Sequence, residues 1–470
     1  MGGLLTALNA GKTSLSANQK SIEIVGNNIA NVNTPGYSRQ RAELTQIPAV
    51  NWGDFFVGQG VTVTDVRRDY DVFINRQLQE KNIDYGEELG KSNSLAEMER
   101  ILNVSEDNLA SEIDRFFDAW QQLSANPSGL VERDTVIQRG QLLGDAFKST
   151  YDEMENVRQN INTSILSKID TINEQLQQVA ELNNRIREVE TSGQTANAAR
   201  DQRDLLIQDL SQTLGVQTYT DSQGMLAVQL PGGLPLVQGG QAMQLEAVTS
   251  GSDVNLQLNI AGTTQDIHLD QLGGEMKGLF SMRDEFISGL QDDLDTLAAE
   301  IANSVNEVHQ AGTGLDGSTG QNFFRDPATL SPGDHPSRNL TVVLTDANQL
   351  AAGGPTDPPG TPAAPGDNTN ALTMAALERE GLAGLDGDTY DAYFSKMVSS
   401  VGIEASRNDL ALKGAEDALV QLQNLRDGYS GVSLDEEMVD LVQYQRGFES
   451  SAKFLSTIDE MMDSLLQLKR

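Results

Sequence analysis

Asn27-Asn28-Ile29-Ala30-Asn31-Val32-Asn33-Thr34-Pro35-Gly36-Tyr37-Ser38-Arg39-Gln40 closes the first helical segment of this 470-residue chain. Asn27, Asn28, Asn31 and Asn33 would be costly inside a helix, but their amides can bond backbone groups where a helix must stop. Pro35 disfavours helical geometry at Thr34, and Thr34-Pro35-Gly36-Tyr37 puts Pro and Gly at the second and third positions of a type II turn. A simple helix end needs one such asparagine. Upstream, Leu8, Leu15, Ile22 and Ile29 recur at intervals of seven, with Leu4, Val25 and Val32 on a second row, the pattern of a narrow coiled-coil seam. Gly11 and Asn18 interrupt the second row, so this helix needs a partner.

The far end of the chain supplies one. Leu434, Leu441, Phe448, Leu455 and Met462 again recur at seven, with Tyr444, Ile458 and Leu465 on the adjoining row. Ser433 and Glu436 have capping-box spacing and mark a helix start. The first helix enters the body of the protein at its C-terminal end, and the last leaves it at its N-terminal end. The two therefore pair antiparallel, and spans 4–32 and 433–468 reach roughly 44 and 54 Å.

Between them, Ile165, Ile172, Val179 and Ile186, and then Ile287, Leu294, Ile301 and Val308, repeat the sevenfold spacing. Stretches 70–123, 195–214 and 388–428 also read as helix, with stops at Asn126-Pro127 and Gly215. From Val216 to Leu272 the period falls to two, as in Leu226, Val228, Leu230 and Leu256, Leu258, Ile260. This segment is expected to be a small antiparallel β insertion burying only its own core. Residues 339–345 are expected to add a strand, and Gly353 to Gly366 reads as a solvated loop. The expected fold is mainly α: an elongated helical bundle (70–215 and 273–429), an antiparallel coiled-coil stalk from both termini (1–69 and 430–470), and the β domain (216–272).

Composition excludes several functions. Against 68 Asp and Glu stand 33 Lys and Arg, and a net charge of −35 repels phosphate backbones and other copies of the same chain. Nucleic acid is not expected as a partner, and self-assembly would have to run through apolar seams. No run of apolar residues is long enough to insert in a membrane as a helix. The N-terminus lacks the basic and apolar regions of a cleaved secretory signal. Zero cysteines exclude disulfides and thiolate chemistry.

No catalytic, metal or cofactor site emerges from the spacing. His268, His309 and His335 lack the short separations that gather metal ligands and read as surface or structural residues. Gly312-Thr313-Gly314-Leu315-Asp316-Gly317 follows a helix, where dinucleotide binding needs a preceding strand, so it reads as a cap and loop. Asp386-Gly387-Asp388 reads as a turn. Arg200-Asp201 and Arg203-Asp204 place Arg200 and Asp204 one turn apart, as an ion pair on a solvated helix face.

The stretch from Asn27 to Gln40 resembles the N-terminal signature of bacterial flagellar rod, hook and hook-associated proteins. Gly431-Val432-Ser433-Leu434-Asp435-Glu436-Glu437, with Tyr444-Gln445 and Ile458-Asp459-Glu460-Met461, resembles the matching C-terminal helix. Three inner stretches resemble the hook-associated protein 1 family: Phe116 to Pro127, Arg200 to Leu206, and Val305 to Gln310 leading to Asn322-Phe323-Phe324. Gly366-Asp367-Asn368 to Leu377 is a further match. The resemblance implies a structural protein of the hook–filament junction, exported uncleaved by the flagellar type III apparatus to the cell exterior. It also implies a homo-oligomeric ring with hook protein on one side and hook-associated protein 3 on the other, and an export chaperone at the C-terminal helix. Asn27, Asn28, Asn31, Asn33, Thr34, Pro35, Gly36 and Tyr37, together with the two heptad rows, are then the candidate assembly residues. A hook or distal rod protein, a flagellar cell-wall hydrolase and a cytoplasmic coiled-coil signalling protein are the competing readings.

Overall fold

The computed structural model of the chain describes residues 2–52, 55–102, 108–221, 224–251 and 253–468. Helix α1 (Gly2–Ala30) leads through the Pro35 turn into an antiparallel ribbon in which β1 (Gln40–Gln46) pairs with β4 (Val61–Arg68). The ribbon's outer end carries the short pair β2 (Val50–Trp52) and β3 (Phe55–Val57). The sequence reading assigned this stretch to the stalk and saw no strands in it. Its signal is the β-branched run Val61-Thr62-Val63-Thr64, whose valine face is half-buried and whose threonine face is exposed because only one side of the ribbon meets α1.

The body is built on α2 (Val72–Leu102), α3 (Leu109–Ala125), α4 (Leu130–Thr191) and α5 (Asn197–Leu214). At 62 residues, α4 is roughly 93 Å long and outruns its helical partners. Its first half packs on α3, where Phe116 and Trp120 meet Phe323 and Phe324 in an aromatic cluster extended by Phe117, on which Tyr390 stacks at 5.4 Å. Its second half meets two small sheets. One is the meander β5 (Gln217–Thr220), β6 (Leu226–Gln229), β7 (Pro235–Gln238) and β8 (Gln241–Ala242). The other is β9 (Gln244–Ser250), β10 (Asp253–Ile260) and β11 (Thr263–Ile267), with β10 central. Then come α6 (Gly274–Ser281), a π-helical stretch Met282–Ile287, α7 (Ser288–Ala311), α8 (Thr369–Ala376), α9 (Tyr390–Ser430) and α10 (Leu434–Leu468).

Two expectations need correction. The β segment does not bury only its own core: Val228, Leu230, Val237, Leu245, Val254, Leu256 and Leu258 join one continuous apolar core with Ile161, Ile165, Ile172, Leu176 and Val179 of α4. Asn173 of α4 exchanges two bonds with the backbone of Leu245 (2.8 and 2.9 Å), and Asn183 donates to Leu226 O and Gly239 O. The three-stranded sheet has one apolar face, carrying Leu245, Val254, Leu256 and Leu258, and the overhanging half of α4 is the surface that covers it. Residues 339–345 form no strand but a single bridge, Val342 to Phe324, held by Arg325 N to Thr341 O and Val343 N to Phe323 O. Tight turns at Pro336–Arg338 and Ala347–Gln349 leave no length for more.

Candidate assembly site at the terminal helix pair

α1 and α10 run antiparallel along most of their length. Ser14 Oγ lies 2.9 Å from Ser451 Oγ, and Asn28 Nδ2 donates to Glu437 Oε2 at 3.0 Å. A Cβ added at Gly11 would lie 2.8 Å from Leu455 Cδ2, and one added at Gly447 would lie 2.7 Å from Asn18 Oδ1. The buried residues of the seam are Gly11, Ala17, Ser21, Val25 and Asn28 on α1 and Glu437, Ser451 and Ile458 on α10. Gly11 thus makes room for the Leu455 side chain and Gly447 for the Asn18 amide.

The large apolar heptads do not form the centre of this seam. Leu8, Leu15, Ile22 and Ile29, and Leu441, Phe448, Leu455 and Met462, are half-buried, while Leu434 is exposed. The centre follows the adjoining rows, Gly11–Asn18–Val25 and Tyr444–Ser451–Ile458. Of these heptad residues Leu455 reaches in over Gly11, and the others flank the contact and stay partly open to solvent.

The asparagine-rich exit builds the joint between this pair and the body. Tyr37 N donates to Thr34 O at 3.2 Å and Gly36 has φ +77°, the geometry of the type II turn, with Leu205 of α5 beside it. Asn28 is the hub. Its Nδ2 donates to Gln40 O (2.9 Å) as well as to Glu437, and its Oδ1 accepts from Gln40 N (2.9 Å) and the Tyr37 hydroxyl (2.8 Å). Asn31 Nδ2 donates to Asn27 O and Oδ1, and Thr34 Oγ1 donates to Asn31 Oδ1, so these residues tie off the last helical turn. Asn33 and Pro35 are exposed. Burial, with Asp201 and Glu437 nearby, raises the Tyr37 hydroxyl to about 12.

Residues outside the candidate assembly set complete the joint. Buried Arg39 pairs with three carboxylates of α10, Glu436 (2.5 Å), Glu437 (2.6 Å) and Asp440 (3.2 Å), and its N–H donates to Ser430 O. Glu436 is therefore committed to Arg39 rather than to a capping box with Ser433. Burial works against the Arg39 charge, but Glu436 and Glu437 outweigh it and its pKa rises. On the body side, Ser38 donates through N and Oγ to Asp201, and Arg68 spans Asp201 (2.7 Å) and Asp204 (2.8 Å). Burial opposes the Arg68 charge too, and the two aspartates more than offset it.

The expected Arg200–Asp204 pair does not form. Arg200 holds Glu190 at 2.6 and 2.8 Å, Asp204 holds Arg68, and Asp201 and Arg203 are buried, so this face of α5 is an interface. The reason is distance in the chain: Arg68 lies 133 residues before Asp201 and outcompetes a neighbour one turn away with a partly desolvated, two-carboxylate site.

Elsewhere the polar residues serve the fold. His309, buried, places Nδ1 2.7 Å from Gln321 O and accepts from Ala351 N at Nε2 (3.0 Å). His335 Nδ1 lies 2.8 Å from Asp295, and His268 is exposed at the end of β11. Residues 312–317 form a loop after α7, and Asp386 sits in a left-handed turn at φ 57°. Among the described residues no group of three or more His, Asp or Glu could hold a metal ion, and no helix is long and apolar enough to cross a membrane.

Comparison with known proteins divides the chain along the same lines. Residues 95–324 match the family described as flagellar hook-associated protein FlgK helical domain. Residues 8–37 match the flagella basal body rod protein family, and 428–468 match the flagellar basal body rod FlgEFG protein C-terminal family. The chain is similar to flagellar hook-associated protein 1 of Bacillus subtilis (strain 168), 27% identical over 98% of this chain and 97% of that one. It is also similar to flagellar hook-associated protein 1 of Escherichia coli (strain K12), 23% identical over 98% and 99%. The fold resembles that of the flagellar hook junction protein FlgK from Burkholderia pseudomallei, with a TM-score of 0.66 at 17% identity, covering 76% of this chain and all of that one.

Proposed function

We propose, from the premise that this chain belongs to the FlgK family of flagellar hook-associated proteins, that its paired terminal helices are the element by which it is built into the hook–filament junction. It is a structural component of the bacterial flagellum. The observation that carries the assembly reading is the partial burial of the leucine rows: they run beside the α1–α10 contact and leave two apolar stripes half-open in the single chain. Copies packed side by side in a ring would cover those stripes, whereas the −35 charge would otherwise hold them apart. The helical match in the middle of the chain favours this over a hook or distal rod protein, which would share only the ends.

On this reading 1–69 and 430–470 serve assembly, 70–215 and 273–429 form the surrounding body, and 216–272 faces outward. Hook protein lies on one side and hook-associated protein 3 on the other. The chain reaches its place by uncleaved export, with a chaperone covering α10 beforehand, and it performs no catalysis.

The test is localisation with a matched variant. A tagged chain expressed in flagellated cells lacking their own copy is expected at hook tips and in sheared flagella. Leu441→Ala, Phe448→Ala and Leu455→Ala combined are expected to remove it from there while leaving a folded body by circular dichroism. Tagged chain retained in the cytoplasm, or a triple variant that still supports filament growth, contradicts the proposal.

A further inference from the structure

α1 packs on α10 and on both long strands of the ribbon, so these elements form one terminal arm. Among the described residues, the apolar core that joins body and sheets takes in none of α1, the ribbon or α10. The chain crosses between arm and body at residues 69–71, leading from β4 into α2, and at residues 431–433, leading from α9 into α10. Both crossings meet at Arg39, whose N–H donates to Ser430 O and whose C=O accepts from Asp69 N, each at 2.8 Å. Away from this point the arm touches α5 along one polar stripe. Thr195 Oγ1 donates to Asp65, Asn197 Nδ2 donates to Val66 O, Asp201 accepts from Ser38 and Arg68, and Asp204 pairs with Arg68. The contacts thus advance together, from Asp65 to Arg68 on β4 and from Thr195 to Asp204 at α5.

We infer that the arm swings on Arg39 as a pivot, and that the polar stripe of α5 is a clasp holding it at the angle seen in the single chain. A seam built on a close-packed apolar core resists opening, because its side chains lose their contacts together. The clasp differs in kind. Its hydrogen bonds and ion pairs, with Leu205 beside Gly36, exchange protein partners for water at small net change. Asp201 and Arg68 are held almost dry, with side chains 7% and 10% exposed, so the hydration regained on opening offsets much of the attraction lost. Asn197 Oδ1 is enclosed there without a hydrogen-bond partner among the described residues, and opening gives it one from water. The pivot persists because two covalent crossings run through it, and the Arg39 guanidinium, paired with Glu436, Glu437 and Asp440, travels with the arm and keeps α10 on it. An open clasp lets helix pair and body take different angles within one chain. The inference stands whether or not the helix pair serves assembly, since arm, pivot and clasp all lie in a single copy.

The chain has no cysteine, so nitroxide pairs on introduced cysteines report distances without background. Lys12→Cys with Glu188→Cys spans arm to body, and Lys12→Cys with Lys453→Cys lies within the arm; all three positions are exposed. With the clasp intact, double electron–electron resonance is expected to give one narrow arm-to-body distance distribution. Asp201→Asn with Asp204→Asn should widen it about twofold or more and leave the within-arm distribution as it was. Thr195→Ala with Asn197→Ala, which keeps Arg68 between both aspartates, should widen it less, and decides the matter if the first variant fails to fold by circular dichroism. An unchanged arm-to-body width in a folded clasp variant overturns the inference, as does a broad width with the clasp intact. Widening of both distributions together also overturns it, since the arm would then be coming apart rather than turning. Loss of folding in both variants overturns it as well, because the stripe would then hold the fold and not the angle.

Discussion

Asn28 spends every hydrogen-bonding group of its amide on joining three segments, the α1 end, the turn and α10, while only 1% exposed. Asn28→Ala would leave Gln40 N, Gln40 O and the Glu437 carboxylate short of partners inside the joint. A loss of about 2 to 4 kcal/mol is expected in the α1–α10 pairing. Amide exchange should quicken in both terminal helices and stay unchanged in α3 and α4; uniform quickening would refute a local role. His309 sets a pH dependence of a different kind. Burial lowers its pKa from 6.5 to about 4, so between those values the unfolded chain takes up a proton that the folded chain refuses. The stabilisation is complete above 6.5 and is lost as pH falls toward 4, about 3 kcal/mol in all. Urea midpoints across that window should fall more steeply for the natural chain than for His309→Gln.

At the scale of the element, the terminal pair depends on glycines that admit partner side chains more than on the flanking leucines. Gly11→Leu is expected to push α10 away from α1 and cost about 1 to 3 kcal/mol, because the added side chain starts 2.8 Å from Leu455 Cδ2. Leu8→Ala, which trims a flanking residue, should cost less than half of that in the isolated chain. Thermal melting followed by exchange in α1 ranks the two, and the reverse order would place the seam on the leucine row. The helices and their pairing direction were legible from sevenfold spacing and from which end of each meets the body. The choice between two adjoining rows was not, since both rows are partly apolar and the decision depends on Gly11 and Gly447 coming from opposite ends of the chain.

At the scale of the molecule, α4 joins helical body and sheets into one core. Deleting 222–265 with a short flexible joint should therefore expose the Ile165–Val179 face of α4 together with Asn173 and Asn183. The expected outcome is a large fall in soluble yield and a broadened melt, measured against the intact chain. A deletion variant that melts cooperatively near the intact protein would show that the sheets are a dispensable appendage.

What the sequence determined by itself is whatever repeats locally or is written in one run: the long helices, the type II exit at Thr34–Tyr37, the period-two segment and the resemblance to flagellar axial proteins. Residues three to seven apart on one helix report their own geometry, and no partner is needed to read them. Only the tertiary structure decided that the β1–β4 ribbon lies along α1, that Arg39 answers to Glu436, Glu437 and Asp440, that Arg68 takes Asp204 from Arg200, and that the sheets share the α4 core. These contacts join positions tens to hundreds of residues apart. In a chain with 68 carboxylates many pairings satisfy charge equally well, and burial alone, settled when the elements pack, selects among them.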